Sequence, residues 1–506
     1  MKKHGSFAHH LIVLLGFLIL SIFTSQCFAQ SNTESSSKSK SRQYLGQFSA
    51  IYDWIQQNYV DEVDPSVLYR GALKGMLSEL NDPYTTYLDE SLSRSLGDTT
   101  NGQFGGVGLS ISKAFESTPD KPAYVEVASP VEDTPGFRAG IQAGDLIISV
   151  NGTDTSTITM DEVLGMLRGK VGETVDLVIR RGKNIEFPVT LTRAVIEVPT
   201  VKFGTINAVE AGFDEGKIGY LKIIEFTPLT PEKVQQALDS FKNDKVLSLI
   251  IDLRNNPGGL ITSVENVADK FIDDGPIVST KSRIAYENTV FIASKKKTTW
   301  RGTPIVVLIN KGSASASEIL SGALKDNHLA YLVGQRTYGK GSVQQVLPLS
   351  ETEGIKCTVA RYYTPSDVNI DKIGIPPDRE ILFPVLSEKG ETQFEDLMKE
   401  NGIEKYVEEH GGAEMSEKQI SAYAKQLKKT YTEIDEPSLR KLVRNEVYKT
   451  RGTMLYDLDY DIQLEEAIKI LQEEDFASLI SNAKTLKELQ DSAQLEDSSK
   501  NDAEKK

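Results

Sequence analysis

The run Lys311-Gly312-Ser313-Ala314-Ser315-Ala316-Ser317-Glu318-Ile319 follows an apolar, strand-like stretch, and its small residues let the backbone turn sharply into a helix. A serine at such a turn lies at a helix N-terminus, where unpaired N–H groups and the macrodipole favour developing negative charge. The same spacing also fits a structural role, since Ser315 followed three residues later by Glu318 is a capping-box pattern. A serine is a poor nucleophile without a base. Tyr338-Gly339-Lys340-Gly341-Ser342 offers a lysine between two glycines, where the backbone can approach a neighbour closely. Burial would leave that amine neutral and able to take a proton, and Gln344, four residues on, could orient it. An exposed loop lysine is the plainer reading of the same residues. The third segment is Asp252-Leu253-Arg254-Asn255-Asn256-Pro257-Gly258-Gly259. Amides near Gly258 and Gly259, paired with that of Ala316, could hold an oxyanion; taken alone, the segment is a tight strand-to-helix turn.

These segments need strands that end beside one another. Leu247–Leu253 and Ile305–Ile309 are continuous apolar runs, the pattern of strands buried on both faces. Each leads through a Gly- or Ser-containing turn into a helix-like stretch, so residues 194–384 read as an α/β core. Residues 102–193 differ: glycines and alternating apolar positions predict short strands at Val107–Ile111, Leu146–Val150, Val175–Ile179 and Ile185–Leu191, with a helix at Thr159–Arg168. Before them, residues 44–101 carry apolar positions at helical spacing, among them Leu45, Phe48, Ile51 and Ile55. Residues 385–506 are charged and helix-prone, ending in a tail expected to be disordered.

The N-terminus bears on compartment. Lys2 and Lys3 precede an apolar run from Leu11 to Phe23, short for a membrane span, and Cys27-Phe28-Ala29 places small residues before Gln30. Residues 1–29 therefore read as a secretory signal peptide, followed by a Ser-rich flexible linker over 30–43. The expected location is the periplasm, with the segment either cleaved or kept as an anchor. Cleavage removes Cys27, His4, His9 and His10 and leaves Cys357, His328 and His410. That inventory excludes a disulfide framework and a histidine or thiolate metal cluster, and makes a Ser-His-Asp triad improbable. Cys357, in an apolar-alternating run, is expected to be buried and structural. A formal charge of −15 gives no electrostatic support to nucleic-acid binding.

The order LRNNPGG, GSASASEI, TYGKGSVQQ resembles the carboxy-terminal processing (tail-specific) serine peptidases. The resemblance implies that the middle serine of SASAS, Ser315, is the nucleophile, that Lys340 is its base, and that Gln344 supports the lysine. It implies a further supporting role for Asp326 by spacing alone. Phe104-Gly105-Gly106-Val107-Gly108-Leu109 and Pro135–Ile147 likewise resemble a PDZ domain, in which Gly105, Gly106, Val107, Gly108 and Leu109 would bind a peptide's terminal carboxylate. Arg168 matches an arginine that some members use to sense substrate; a helix-terminal cation is its simpler reading. The implied architecture is a multidomain α/β protein: a crotonase-like catalytic core with an inserted β-rich PDZ domain and helical N- and C-terminal regions. The implied function is an exported serine endopeptidase acting on polypeptides with exposed C-terminal tails, needing neither metal nor organic cofactor. A homo-oligomer and an adaptor protein partner are left open. The rival reading is a periplasmic PDZ adaptor or chaperone with an inactive peptidase-like core, against which stands the presence of both Ser315 and Lys340. A crotonase-type acyl-CoA enzyme is disfavoured by the export signal and the PDZ insertion.

Overall fold

The computed structural model describes residues 40–492 apart from 114–122, 132–133, 143, 183–184, 198–199, 208, 210–215, 385, 400–401 and 449–453. The expected signal peptide, most of the linker and the last residues of the tail lie outside the described residues. The chain divides into two units, Met1–Tyr87 and Leu88–Lys506.

In the first unit, helix α1 spans residues 40–58 and α2 spans Pro65–Ser78. The linker expected through residue 43 therefore ends sooner, because Lys40, Arg42 and Gln43 are good helix formers that extend α1 backwards. Leu45, Phe48 and Ile51 do recur on one face, and that face is exposed. Helix α2 starts where Asp64 accepts a hydrogen bond from the Ser66 N–H at 2.8 Å, with Pro65 at the first helical position. Asn81-Asp82-Pro83 then stops it, the Asp82 carboxylate accepting from the Tyr84 N–H and the Thr85 hydroxyl.

The second unit opens with α3, Glu90–Asn101, and a β-rich module. Strand β1 (Gln103–Gly106) leads to β2 (Leu109–Lys113), β3 (Val125–Pro130) and β4 (Leu146–Val150), followed by helix α4 (Met160–Leu167), β5 (Thr174–Arg181) and β6 (Ile185–Thr192). Strands β2-β3-β4-β5-β6 form one antiparallel sheet with β2 at its edge; β1 pairs instead with β7, Ala194–Glu197. The strand expected at Val107–Ile111 is thus broken. Gly108 adopts φ +73°, and the Val107 and Gly108 carbonyls accept from Gly136 and Val131, which turns the chain there. A compact core of Val125, Val127, Ile147, Val163, Leu177 and Ile179 holds the module together.

The strands of the α/β core are β8 (Val201–Asn207), β9 (Lys217–Ile223), β10 (Ser248–Asp252), β13 (Ile305–Ile309), β14 (Tyr331–Gly334) and β17 (Arg379–Glu380), adjacent in that order. All pairs from β9 onward are parallel. Helices α5 (Thr230–Asp244), α6 (Ile261–Ala268) and α7 (Ala316–Asp326) supply one apolar layer, into which Leu249, Ile251, Val307 and Leu332 project. The alternate residues Ile250, Val306, Leu308 and Val333 point the other way. Both faces being covered explains why these strands are apolar without a break. A smaller antiparallel sheet links β15 (Ser342–Pro348), β16 (Gly354–Tyr363), β11 (Pro276–Ser282) and β12 (Thr289–Ile292) through successive pairings.

The cover on the second face comes from the C-terminal region. Leu464, Ala467, Ile468 and Ile470 of helix α12 (Ile462–Glu473) pack against it. Helices α8 (Glu388–Lys399), α9 (Gly402–Glu409), α10 (Glu417–Thr430) and α11 (Glu436–Tyr448) build a separate core around Ile420, Ala424, Leu439 and Val443. Asp326, at the end of α7, accepts from the Ser366 N–H (3.1 Å) and hydroxyl (2.6 Å) and from the Leu486 N–H (2.8 Å). It fastens the C-terminal segment to the core. Asp326→Ala is expected to lower the unfolding free energy by about 1–3 kcal/mol, as measured by urea titration, because three donors lose their acceptor.

Candidate active site

The loops that follow β10, β13 and β14 converge at the carboxyl ends of three adjacent parallel strands. Ser315 and Lys340 line one cleft of 590 Å³ together with Gly259, Leu260, Ile319, Gln344 and Lys356. Of the three serines in the SASAS run, two are spent on structure. The buried Ser313 hydroxyl donates to the Leu253 carbonyl at 2.8 Å, and the buried Ser317 hydroxyl donates to the Asn256 carbonyl at 3.0 Å. Ser315 alone of the three lines the cleft, and its backbone sits at φ 55°, ψ −114°. A non-glycine residue in that region is strained and persists only where its surroundings over-determine it.

The over-determining group is Glu318. Its buried carboxylate accepts four hydrogen bonds: from the Ser315 N–H (2.9 Å), the Lys340 N–H (2.9 Å), the Gly339 N–H (2.7 Å) and the Thr337 hydroxyl (2.6 Å). Burial pushes its pKa up, while the Thr337, Lys340, Gly339 and Ser315 donors pull it back down. The capping box expected between Ser315 and Glu318 is formed. The Glu318 side chain does bond the Ser315 N–H, while the Glu318 N–H donates to the Ser315 carbonyl at 2.9 Å. From the other side, the buried Tyr362 phenol bonds the Lys340 carbonyl and lies 3.2 Å from the Ser315 carbonyl. One carboxylate and one phenol thus tie the same two residues through both ends of their peptide units.

The glycines flanking Lys340 have a steric reason. A Cβ on Gly339 would lie 2.9 Å from the Gly374 nitrogen, and one on Gly341 2.6 Å from the Asp371 nitrogen. Burial lowers the Lys340 pKa, the Lys356 ammonium lowers it further, and Glu318 opposes both. Gln344 donates through Nε2 to the Ser342 hydroxyl (2.9 Å) and the Thr358 hydroxyl (3.2 Å), which fixes its amide in the cleft wall.

Gly258 and Gly259, at φ +109° and +137°, bring the loop after β10 against the serine. A Cβ on Gly258 would stand 2.7 Å from the Ser315 Cβ and 2.9 Å from the Ala316 nitrogen. The Gly258 N–H, however, donates to Asn256 Oδ1 at 2.9 Å, so its hydrogen is committed. Beside Ser315 this geometry sets the amides of Gly259 and Ala316, the latter at the first position of α7, where an N–H has no partner within the helix.

Other expected residues lie elsewhere. Asp326 is a fastener, as above. His328 is exposed beyond the end of α7, its Nδ1 3.3 Å from the Ile480 carbonyl, and the exposed His410 stacks on Tyr406. Gly105 and Gly106 belong to β1, paired with Val195 and Ala194, so the open turn of the module reduces to Val107-Gly108-Leu109. Arg168 follows α4, with its guanidinium over the Phe104 ring at 4.6 Å. Cys357 is half-buried rather than buried, because β16 turns its odd-numbered residues away from the cleft. Sequence reasoning missed Asn256, Glu318, Thr337, Lys356 and Tyr362. For Glu318 a signal existed: a carboxylate on the first turn of a short helix between two buried strands has no route to water and must be bonded.

Comparison with known proteins identifies the family. Peptidase family S41 matches residues 217–381, a PDZ domain matches 126–181, and the activating protease CtpB N-terminal domain matches 16–92. The carboxy-terminal-processing protease of Bartonella bacilliformis is 36% identical over 377 residues, covering 73% of this chain and 82% of the relative. The carboxy-terminal processing protease CtpB of Bacillus subtilis is 33% identical over 350 residues, covering 69% and 70% respectively. A solved photosystem II D1 C-terminal processing protease is 31% identical, covering 67% of this chain and 93% of that one, at a TM-score of 0.40. The α/β core with its PDZ module is that of a serine-type peptidase. The chain belongs to the carboxy-terminal processing proteases of peptidase family S41.

Two substitutions test the architecture of the site. Gly258→Ala drives a methyl into Ser315 and is expected to cut kcat about a hundredfold, the cost of roughly an ångström of misplacement. Glu318→Gln presents an NH₂ to backbone N–H groups and should lower kcat by a similar factor with little change in KM. Steady-state kinetics on one peptide substrate reads both.

Proposed function

We propose that this chain is an exported endopeptidase that cleaves polypeptides near their C-termini, with Ser315 as nucleophile and Lys340 as base. The observation that carries the reading is that Ser315 and Lys340, held by one buried carboxylate, face the same cleft. Neutral Lys340 takes the Ser315 proton as the hydroxyl oxygen attacks the scissile carbonyl. The amides of Gly259 and Ala316 hold the tetrahedral oxyanion. Lys340 returns the proton to the leaving amine, an acyl-enzyme remains on Ser315, and water, activated by the same amine, releases it. Gln344, with its nitrogen committed to Ser342 and Thr358, offers its carbonyl oxygen to orient the lysine. The helix-flanked parallel sheet with loops supplying oxyanion donors supports a crotonase-like core.

Export rests on the N-terminal sequence alone, with the periplasm as the proposed location. The PDZ module has the means to capture a tail: β2 is an edge strand, open on one side to pairing, beside the turn at Val107-Gly108-Leu109. Substrates are then polypeptides with exposed, apolar C-terminal tails.

Ser315→Ala is expected to abolish cleavage while leaving the fold intact, and Lys340→Arg to abolish it as well, since arginine keeps its proton. His328→Ala should retain activity; an inactive His328→Ala enzyme would replace the dyad with a histidine base. Activity should rise with pH through the depressed Lys340 pKa, because only the deprotonated amine is a base. The acid limb of kcat/KM therefore falls below the ordinary lysine value of 10.5. For a long substrate, amidating the C-terminus should weaken capture about tenfold, the worth of one charge-assisted hydrogen bond.

A further inference from the structure

The cleft holds one cation that the mechanism does not use. Lys356 lies on β16 two residues before Thr358, which bonds Gln344, and the same strand carries Tyr362, which bonds the Lys340 carbonyl. It pairs across the sheet with Val346, another residue of the cleft wall. Its side chain is half-buried, and among the described residues no ion pair or hydrogen bond holds its ammonium. The rest of the lining is apolar or neutral: Leu96, Phe226, Leu260, Ile319 and Val343 dominate, and Lys340 is the only other titratable amine. Among the described residues no carboxylate lines the cleft; Glu318 lies beneath it with its oxygens already taken by four donors. An ammonium walled by hydrocarbon, with no counter-ion, has much to gain from an anion brought by the substrate.

The side of the cleft on which Lys356 stands indicates which part of the substrate brings that anion. On the Ser315–Lys340 reading, on which this inference rests, Lys340 hands its proton to the departing amine and so faces the C-terminal fragment. Lys356 shares that wall, close enough for its charge to act on Lys340. We propose that Lys356 is a specificity residue that binds a carboxylate of the departing C-terminal fragment, and that the enzyme prefers tails carrying an acid shortly after the cut. The same wall rejects a lysine or arginine there, since a basic side chain would meet a second cation and no acid.

The carboxylate can come from an Asp or Glu side chain or from the terminus of a short tail, and matched short peptides separate the two. One pair differs as acid or amide at the C-terminus; a second, amidated pair carries Asp or Asn after the scissile bond; a third peptide carries Lys there. Each enzyme is read as a ratio of kcat/KM values, so a change in Lys340 basicity made by the substitution itself cancels within that enzyme. The wild type is expected to favour the acidic member of at least one pair about tenfold or more. Lys356→Gln should bring that ratio close to one, Lys356→Arg should keep it, and Lys356→Glu should favour the Lys peptide. A wild-type ratio of one in both pairs, or a ratio unchanged in Lys356→Gln, overturns the proposal. Ser315→Ala is run in parallel: if it still cleaves, the underlying dyad falls, whereas an inactive Ser315→Ala beside an unchanged Lys356→Gln ratio removes only the role of Lys356.

Discussion

The geometry of the site depends on one buried carboxylate. Glu318 sits on the first turn of a helix whose residues Ala316 through Lys325 are all buried, so its charge has no route to water. Such a group is costly unless every acceptor position is filled. Here two backbone N–H groups from the lysine loop, one from the serine turn and one hydroxyl fill them. The consequence runs in both directions. The carboxylate is tolerated because the two loops meet on it, and the loops are held in register because the carboxylate needs them both. Ser315 can therefore keep a backbone conformation that a free turn would abandon, and Lys340 is held in the cleft through its own backbone N–H.

The loop after β10 follows a similar logic with neutral groups. Asn256 is fully buried; its Nδ2 donates to the Ile223 carbonyl at 2.9 Å and its Oδ1 accepts the Gly258 N–H. Its own carbonyl accepts from the Ala314 N–H and the Ser317 hydroxyl. A single asparagine thus joins β9, the glycine turn and the serine turn, and Gly258 and Gly259 are needed because no side chain fits between those backbones. Two residues earlier, Arg254 is bound by Asp252 and by Asp461 of the C-terminal region, at 2.8 and 2.6 Å. Burial works against its charge, but these carboxylates more than offset that and keep the guanidinium protonated. The polar loop that carries Gly258 and Gly259 is therefore anchored to the last part of the chain.

Much of this was legible in the sequence, and the limits have physical causes. Strands β10 and β13 stood out because both faces of the sheet are covered, which removes polar residues from the pattern. Local spacing also placed Ser315 and the two glycines at the ends of those strands, whereas Lys340 stood out only as a lysine between two glycines, and the strand before it, β14, was not read. What could not be read was any contact made over a long sequence separation by a residue with an innocent local role. Glu318 passes for a cap partner, Tyr362 for a strand aromatic, Lys356 for an outward strand lysine, and Asp461 for a surface charge before a helix. The expected carboxylate turn at Gly105–Gly108 was displaced for the same reason: whether a glycine pair lies in a turn or a strand depends on β7, about ninety residues away, which takes up Gly105 and Gly106.

The cleft itself shows how charge is arranged around this chemistry. A lysine base must be neutral while bound in a protein that surrounds it with backbone dipoles, and an adjacent carboxylate would hold it protonated. Glu318 opposes the loss of the Lys340 proton, but its oxygens are occupied by N–H and O–H donors, and it positions Lys340 through the backbone. A second ammonium on the neighbouring strand adds to the neutralising pressure on Lys340. On the proposed reading, Lys356 in that wall serves two ends at once: it disfavours a proton on Lys340 and leaves a positive charge facing the substrate. The two effects oppose each other when an acid binds, because an anion beside Lys356 relieves the pressure on Lys340 and raises its pKa. A tail carboxylate that improves capture therefore also raises the pH at which the captured complex turns over, and at neutral pH its gain must appear in KM more than in kcat.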